Sequence, residues 1–253
     1  MAPSDRAIRR LTPPGAVFVC LLVGWFLAAA RTPAILLPAP TAVLDAVLTD
    51  PTAFLQAGAV SAVTASGGLG LGVVAGLGLA FVAVGSEPGR AVIEPAVVGF
   101  RIAPLTAIAP LVLLWFGTGI AVRAILVALM TTFPITIASI DGLESTPRRY
   151  LDLLDSVGAS RWERFRAVRI PAALPSVFAG VKLAAALAVT GTVVAELLTL
   201  RGGLGAGVWD AGRFVRTAEL FAYLITVALF GVVFYGAAAG AEQVVIRRWG
   251  IDD

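Results

Sequence analysis

Three ionisable side chains fall inside or at the edge of long apolar stretches of this chain: Arg101, Lys182 and Glu196. They are the first candidates for chemistry. A charge at the centre of a helix in hydrocarbon costs roughly 2.5–3.5 kcal/mol on insertion scales, so such groups turn inward or snorkel to the headgroups. For Arg101 and Lys182 two uses stand open: contact with an anionic solute, or anchoring near the headgroups. Glu196, near the end of its apolar run, could pair with an arginine or help gate a path. Covalent catalysis has no candidate set. The sequence has no histidine and one cysteine, Cys20. Histidine acid–base work, zincin-type metal sites and a disulfide framework are therefore excluded. No H-E-x-x-H or G-x-S-x-G occurs. The lone lysine sits in "AGVKLA", with Val181 where a phosphate-gripping loop needs glycine.

The elements around these residues are written in oil. Of 253 residues, 58% are hydrophobic and 14% charged, where a soluble domain carries roughly 25% charged residues. The bilayer is the expected solvent, and the expected fold is an all-α membrane protein. Six stretches are long enough to span, at about 14–30, 58–84, 95–115, 120–140, 174–198 and 219–240. They form one membrane domain over 14–248, between tails 1–13 and 249–253. The basic start followed by an apolar run resembles a signal peptide, but a retained first span is expected. Arginines crowd the first tail, the segment 141–173 and the end of the last span, and Arg90 follows the second span. By the positive-inside rule both termini and 141–173 are cytoplasmic. The sequence pI near 9.6 does not point to nucleic acid, because the basic residues flank spans.

Two spans carry further signals. In "SGGLGLGVVAGLGLAF", Gly68, Gly72 and Gly76 are each four apart, a spacing that lets helix backbones approach closely; tight packing between helices is the expectation, with a substrate-specific role as the other reading. Pro104, Pro110 and Pro134 lie inside the third and fourth spans, where they either line a path or shape the bundle. Between the first two spans, "LLPAPTAVLDAVL" reads as a turn and an amphipathic helix starting near Pro40 or Thr41.

The stretch 145–175 is different. Thr146 can cap a helix that has Pro147 in its first turn. Tyr150, Leu151, Leu154 and Val157 recur at helical spacing. Gly158 suits a left-handed stop. Ser160 and Glu163 make a capping box that opens a second short helix. Pro171 and Pro175 mark a turn into the fifth span. The spacing leaves two readings: an interfacial connector, or a protruding helix pair that docks in a groove on another protein.

Here the sequence resembles the loop of binding-protein-dependent ABC transporter permeases, written E-A-A, three residues, G, nine residues, I-x-L-P. Asp152, Leu153 and Leu154 stand at the E-A-A places, Gly158 at the glycine, and Val168, Arg169, Ile170 and Pro171 at I-x-L-P. "GASRW" and "PAALP" resemble the subgroup importing nitrate, sulfonates, taurine and thiamine-precursor pyrimidines. So do "LLPAPTAVLDAVL", "FRIAPLTAIAPLVLLWFGTG", "GVKLAAALAVTGTVVAELL" and "GGLGAGVWDA", over residues 35–248. The sequence departs from the pattern in a shorter acid and two leucines for two alanines.

The resemblance implies a type I importer permease with coupling helices between spans 4 and 5. Asp152, Leu153, Leu154, Asp155, Gly158, Ala159, Ser160, Arg161, Ile170 and Pro171 would form the coupling surface. Arg101, Pro104, Lys182 and Glu196 would be candidates for the path. Partners would be two ABC ATPase subunits holding ATP and Mg, a second permease subunit, expected to be another copy of this chain in a homodimer, and an external solute-binding protein. This chain would bind no cofactor and catalyse nothing. The other class to weigh is an ATP-independent secondary transporter or channel, against which stands the lack of a visible inverted repeat.

Overall fold

A computed structural model describes residues 3–102 and 105–249, with side chains described from residue 15 onward except at 98, 100–102, 105 and 106. Every regular element in that range is helical. In order they are α1 (Pro3–Ala29), α2 (Pro40–Thr49), α3 (Pro51–Gly85), α4 (Glu87–Ile102), α5 (Leu105–Phe116), α6 (Ile120–Glu144), α7 (Arg148–Ser156), α8 (Arg161–Arg164), α9 (Ile170–Thr199), α10 (Leu204–Arg213) and α11 (Thr217–Arg248). A π turn, Phe165–Arg169, joins α8 to α9. A helix satisfies its own backbone polar groups, which apolar surroundings require.

Four described helices are long and apolar enough to cross a membrane: Pro51–Gly85, Ile120–Glu144, Arg161–Thr199 and Thr217–Arg248. They hold the expected spans 58–84, 120–140, 174–198 and 219–240. The expected first span falls on α1, whose apolar part is Gly15–Ala29. The expected third span, 95–115, falls on α4 and α5, and residues 103 and 104 between them lie outside the described residues. Pro95 and Pro110 lie inside these two helices, and each removes a backbone donor.

α6 is the axis of the bundle, with α3 against one side and α9 against the other. The α3 contact uses the glycine row. Gly68, Gly72 and Gly76 face Val127, Thr131 and Ile135, also four apart. A Cβ on Gly76 would sit 2.9 Å from Ile135 Cβ, and one on Gly72 would overlap Thr131 Oγ1. Thr131 donates to the Gly68 carbonyl at 3.3 Å. Gly70 and Gly78 face open space. The i,i+4 row thus packs helix on helix, as its spacing indicates. On the other side, Gly180 meets Ala138 and the carbonyl of Pro134.

Buried small polar residues (Ser61, Thr64, Thr131, Thr136, Ser139, Thr192) run through this three-helix contact. At one end of the bundle, α2 starts at Pro40 and packs Val43 with Phe54 and Ala222. There Trp25 donates to the Pro38 carbonyl at 3.0 Å, and Phe54 lies 4.4 Å from Tyr223 between ring centroids. At the other end, Ala80, Ala83, Ile93, Val97 and Ile140 join α3, α4 and α6. An Arg90–Glu144 ion pair of 2.7 Å closes it.

Candidate functional site

α7 forms as the sequence indicates, with one correction. The residue capping its start is Pro147, at φ −61° and ψ 131°, and no side chain bonds there. Thr146 therefore lies one residue too early to cap. Its hydroxyl is buried without a hydrogen-bond partner among the described residues. The far end takes the Schellman pattern. Gly158 has φ +76°, its N–H donates to the Asp155 carbonyl at 3.0 Å, and the Ala159 N–H donates to the Leu154 carbonyl at 2.9 Å. Ser160 then makes the full capping box with Glu163: Ser160 N–H to Glu163 Oε2 at 2.7 Å, and Glu163 N–H to Ser160 Oγ at 3.3 Å.

Beyond the box no separate second helix forms. The chain runs from Arg161 through the π turn into α9 as one 39-residue helix. Pro171 and Pro175 do not make a turn. Pro171 lacks an N–H, and its ring crowds the carbonyl four residues back, at Ala167. The wider π turn lies at that point, with the Ile170 N–H reaching back to Phe165 O.

The two arms around Gly158 are tied together. Arg164 pairs with Asp155 across the glycine. Phe165 packs edge-on to Phe81 of α3 at 5.5 Å between centroids and stacks with Trp162 at 6.0 Å. Leu151 and Leu154 are half-buried, while Asp152, Leu153, Ser156 and Val157 face outward. Leu153 is 63% exposed and Val157 71%, an apolar strip with no cover. Arg161 is exposed, and Ala159, Ile170 and Pro171 are half-buried.

The second cluster lies at the other end of α9, roughly 39 Å away at ~1.5 Å per residue. Glu196 is fully buried. Ser61 Oγ of α3 lies 2.9 Å from both its carboxylate oxygens. The Gly205 N–H donates to Oε2 at 2.9 Å, and the Leu204 N–H donates to Ser61 Oγ at 2.9 Å. Arg123 of α6 is 3% exposed and donates to the Gly202 carbonyl at 3.3 Å. The connection between α9 and α10 wraps this carboxylate closely. Leu200 is left-handed at φ 52°, and Gly203, at φ 93°, lies against the carboxyl group with no room for a Cβ. The cluster fastens α10 to α3, α6 and α9 at once.

Lys182 does not stand free. It pairs with Glu242 of α11 at 2.7 Å, both side chains mostly covered. The side chain of Arg101, and Pro104 altogether, lie outside the described residues. The two members of the candidate path that can be placed, Lys182 and Glu196, are not brought together. Sequence reasoning missed Ser61, Arg123, Glu242 and the Asp155–Arg164 tie. The only signals were a serine in an apolar run and glycines after Glu196.

The described residues thus form a helical bundle, with four helices long and apolar enough to cross a membrane and a short exposed helix, α7, joined to the longest of them at Gly158. The chain belongs to the family described as binding-protein-dependent transport system inner membrane component, whose model matches residues 68–249. It is 33% identical over 228 residues to a probable ABC transporter permease protein of Haemophilus influenzae, covering 89% of this chain and 93% of that one. It is 32% identical over 182 residues to the formylaminopyrimidine transport permease of Halalkalibacterium halodurans, covering 71% and 72%. It is 37% identical over 155 residues to the riboflavin transport permease of Chloroflexus aurantiacus, spanning 61% of this chain and 58% of that relative. A solved amino acid ABC transporter shares the fold, with TM-score 0.63 at 18% identity over 81% of this chain and 97% of that chain. The inward-facing MetNI methionine transporter gives 0.60 at 18% over 77% and 94%. The chain is a permease subunit of the ABC importer class.

Proposed function

We propose that the chain carries a small anionic or heterocyclic nutrient inward across the bacterial cytoplasmic membrane, driven by separate ATPase subunits. The assembly is a pair of permease subunits, alike or not, two ATPases that hold ATP and Mg, and an external solute-binding protein. Both termini and 141–173 lie on the cytoplasmic side, and α10 lies outside. The observation that carries this reading is the arrangement about Gly158: a short helix locked at a left-handed glycine, tied to the long α9, with Asp152, Leu153, Ser156 and Val157 facing out. That face seats in an ATPase cleft, and α9 carries the motion to the spans by rigid-body alternation. Leu154, Asp155, Ala159, Ser160, Arg161, Ile170 and Pro171 hold it in shape. The solute class rests on the resemblance to permeases for sulfonates, taurine and formylaminopyrimidine. Glu196 acts at the outer mouth. Arg101 and Pro104 remain path candidates, and Lys182 joins them only when its pair with Glu242 opens.

The test is energy coupling. The purified chain in vesicles, given proton and sodium gradients, should show no uptake of sulfonate, taurine or aminopyrimidine. Adding its ATPase, binding protein and ATP should start uptake of one of them. Gradient-driven uptake by the chain alone would replace this reading with a secondary transporter.

A further inference from the structure

We propose that the cleft between the end of α3 and the α8 segment seats one anionic phospholipid of the inner leaflet. The orientation rests on the function proposed above. The cleft has a volume of about 830 Å³. Its apolar lining is Phe81 and Val84, from the last turn and a half of α3, with Trp162 and Phe165, the Phe81 and Phe165 rings meeting edge-on. Arg161, Arg164 and Arg169 line it as well.

The charges are unbalanced. Arg164 is taken up by Asp155. Neither Arg161 nor Arg169 has an acidic partner within 4.0 Å among the described residues. Two cations thus stand beside an apolar cleft with no counter-charge. A free phosphate would satisfy them but leave the apolar lining uncovered. A phospholipid does both: its phosphate meets the arginines and its acyl chain lies along Phe81 and Phe165. The position agrees, because Gly85 ends the apolar run of α3, and Trp162 is 64% exposed. Aromatic and basic residues gather at that depth, and the cytoplasmic leaflet carries the anionic lipid. A lipid held there braces the Phe81–Phe165 contact, and with it the hinge about Gly158.

Native mass spectrometry of the purified chain tests this without any ATPase, so it is independent of the energy-coupling test. Given equal phosphatidylglycerol and phosphatidylcholine, the chain should retain one phosphatidylglycerol at least tenfold in preference. The double variant Arg161→Gln, Arg169→Gln should lose that preference. Arg161→Lys, Arg169→Lys should keep most of it, which sets charge apart from misfolding. Inorganic phosphate at matched concentration should not displace the lipid. Equal retention of both lipids, or a preference that survives the glutamine variant, would overturn the proposal. Displacement by phosphate would make it a free-anion site instead. Loss of a dimer in the glutamine variant without any lipid change would make the cleft a contact between two copies.

Discussion

Ser61 and Glu196 meet across 135 residues of sequence, with the serine hydroxyl 2.9 Å from each carboxylate oxygen. The contact sets α3, α9 and α10 in one frame. Removing the carboxyl group leaves the Gly205 N–H unanswered and takes away the partner of the Ser61 hydroxyl. Glu196→Ala should therefore destabilise the folded chain by more than the roughly 1–3 kcal/mol of one unsatisfied buried group, because it also leaves a cavity. Glu196→Gln keeps the shape but offers one acceptor oxygen, and should cost about 1–3 kcal/mol. Unfolding midpoints in detergent would show the order. Equal midpoints for both variants and the wild type would mean that the cluster does not fasten α10.

The α3–α6 contact makes a positional prediction. Gly72→Ala drives a methyl group into Thr131 and should cost about 1–3 kcal/mol, as overpacking does. Gly78→Ala meets nothing within 4 Å and should leave the midpoint unchanged or slightly raised. The same unfolding assay checks both, and equal effects would contradict the packing described.

At the hinge the expected effect is backbone strain. Gly158 has φ +76° and open space around it, so a side chain there is strained without being crowded. Gly158→Val should cost roughly 1–3 kcal/mol locally, leave the bundle folded and abolish coupled transport. Asp155→Asn breaks only a half-exposed ion pair, so its effect should stay below about 1 kcal/mol. Uptake in the reconstituted complex, with circular dichroism as the folding control, separates the two.

Topology can be checked directly. In a Cys20→Ala background, Arg148→Cys and Arg213→Cys, both at exposed positions, should react with a membrane-impermeant thiol reagent from opposite sides. Labelling from the same side would remove the assignment of α7 and α10 to opposite faces.

The capping box carries a pH signature. The Ser160 backbone N–H, followed by the Ser160 hydroxyl, holds the Glu163 carboxyl below its ordinary value of 4.5. Because the folded value is the lower one, the box is intact above 4.5 and its contribution is lost as pH falls through the folded value. The Ser160 amide resonance should titrate below 4.5 in the wild type and stay flat in Glu163→Gln. A flat wild-type response would show that the box is not formed in solution.

What could be read from sequence was local. The Schellman stop at Gly158 and the Ser160–Glu163 box are set within a few residues, and both formed. The Gly68–Gly72–Gly76 row has the period of one helix face, and it packs as that spacing favours. The missed features depend on distant chain or on backbone adjustment. Nothing near Glu196 names Ser61, and nothing near Lys182 names Glu242. Pro171 looked like a turn because a proline interrupts helical bonding, yet a π turn carried the helix past it. Pro147 took the position that Thr146 was expected to hold.

Docking of the outward face of α7 on a separate ATPase is central to the proposed function. Leu153 is 63% exposed, so Leu153→Asp should leave the bundle intact. The measurement is affinity purification of the chain from its own membrane, wild type beside Leu153→Asp, with quantitation of any ATP-hydrolysing subunit that comes with it. The expected result is an ABC-type ATPase with the wild type and its loss with the variant. No ATPase with the wild type, or equal recovery with both, would contradict the docking role of α7.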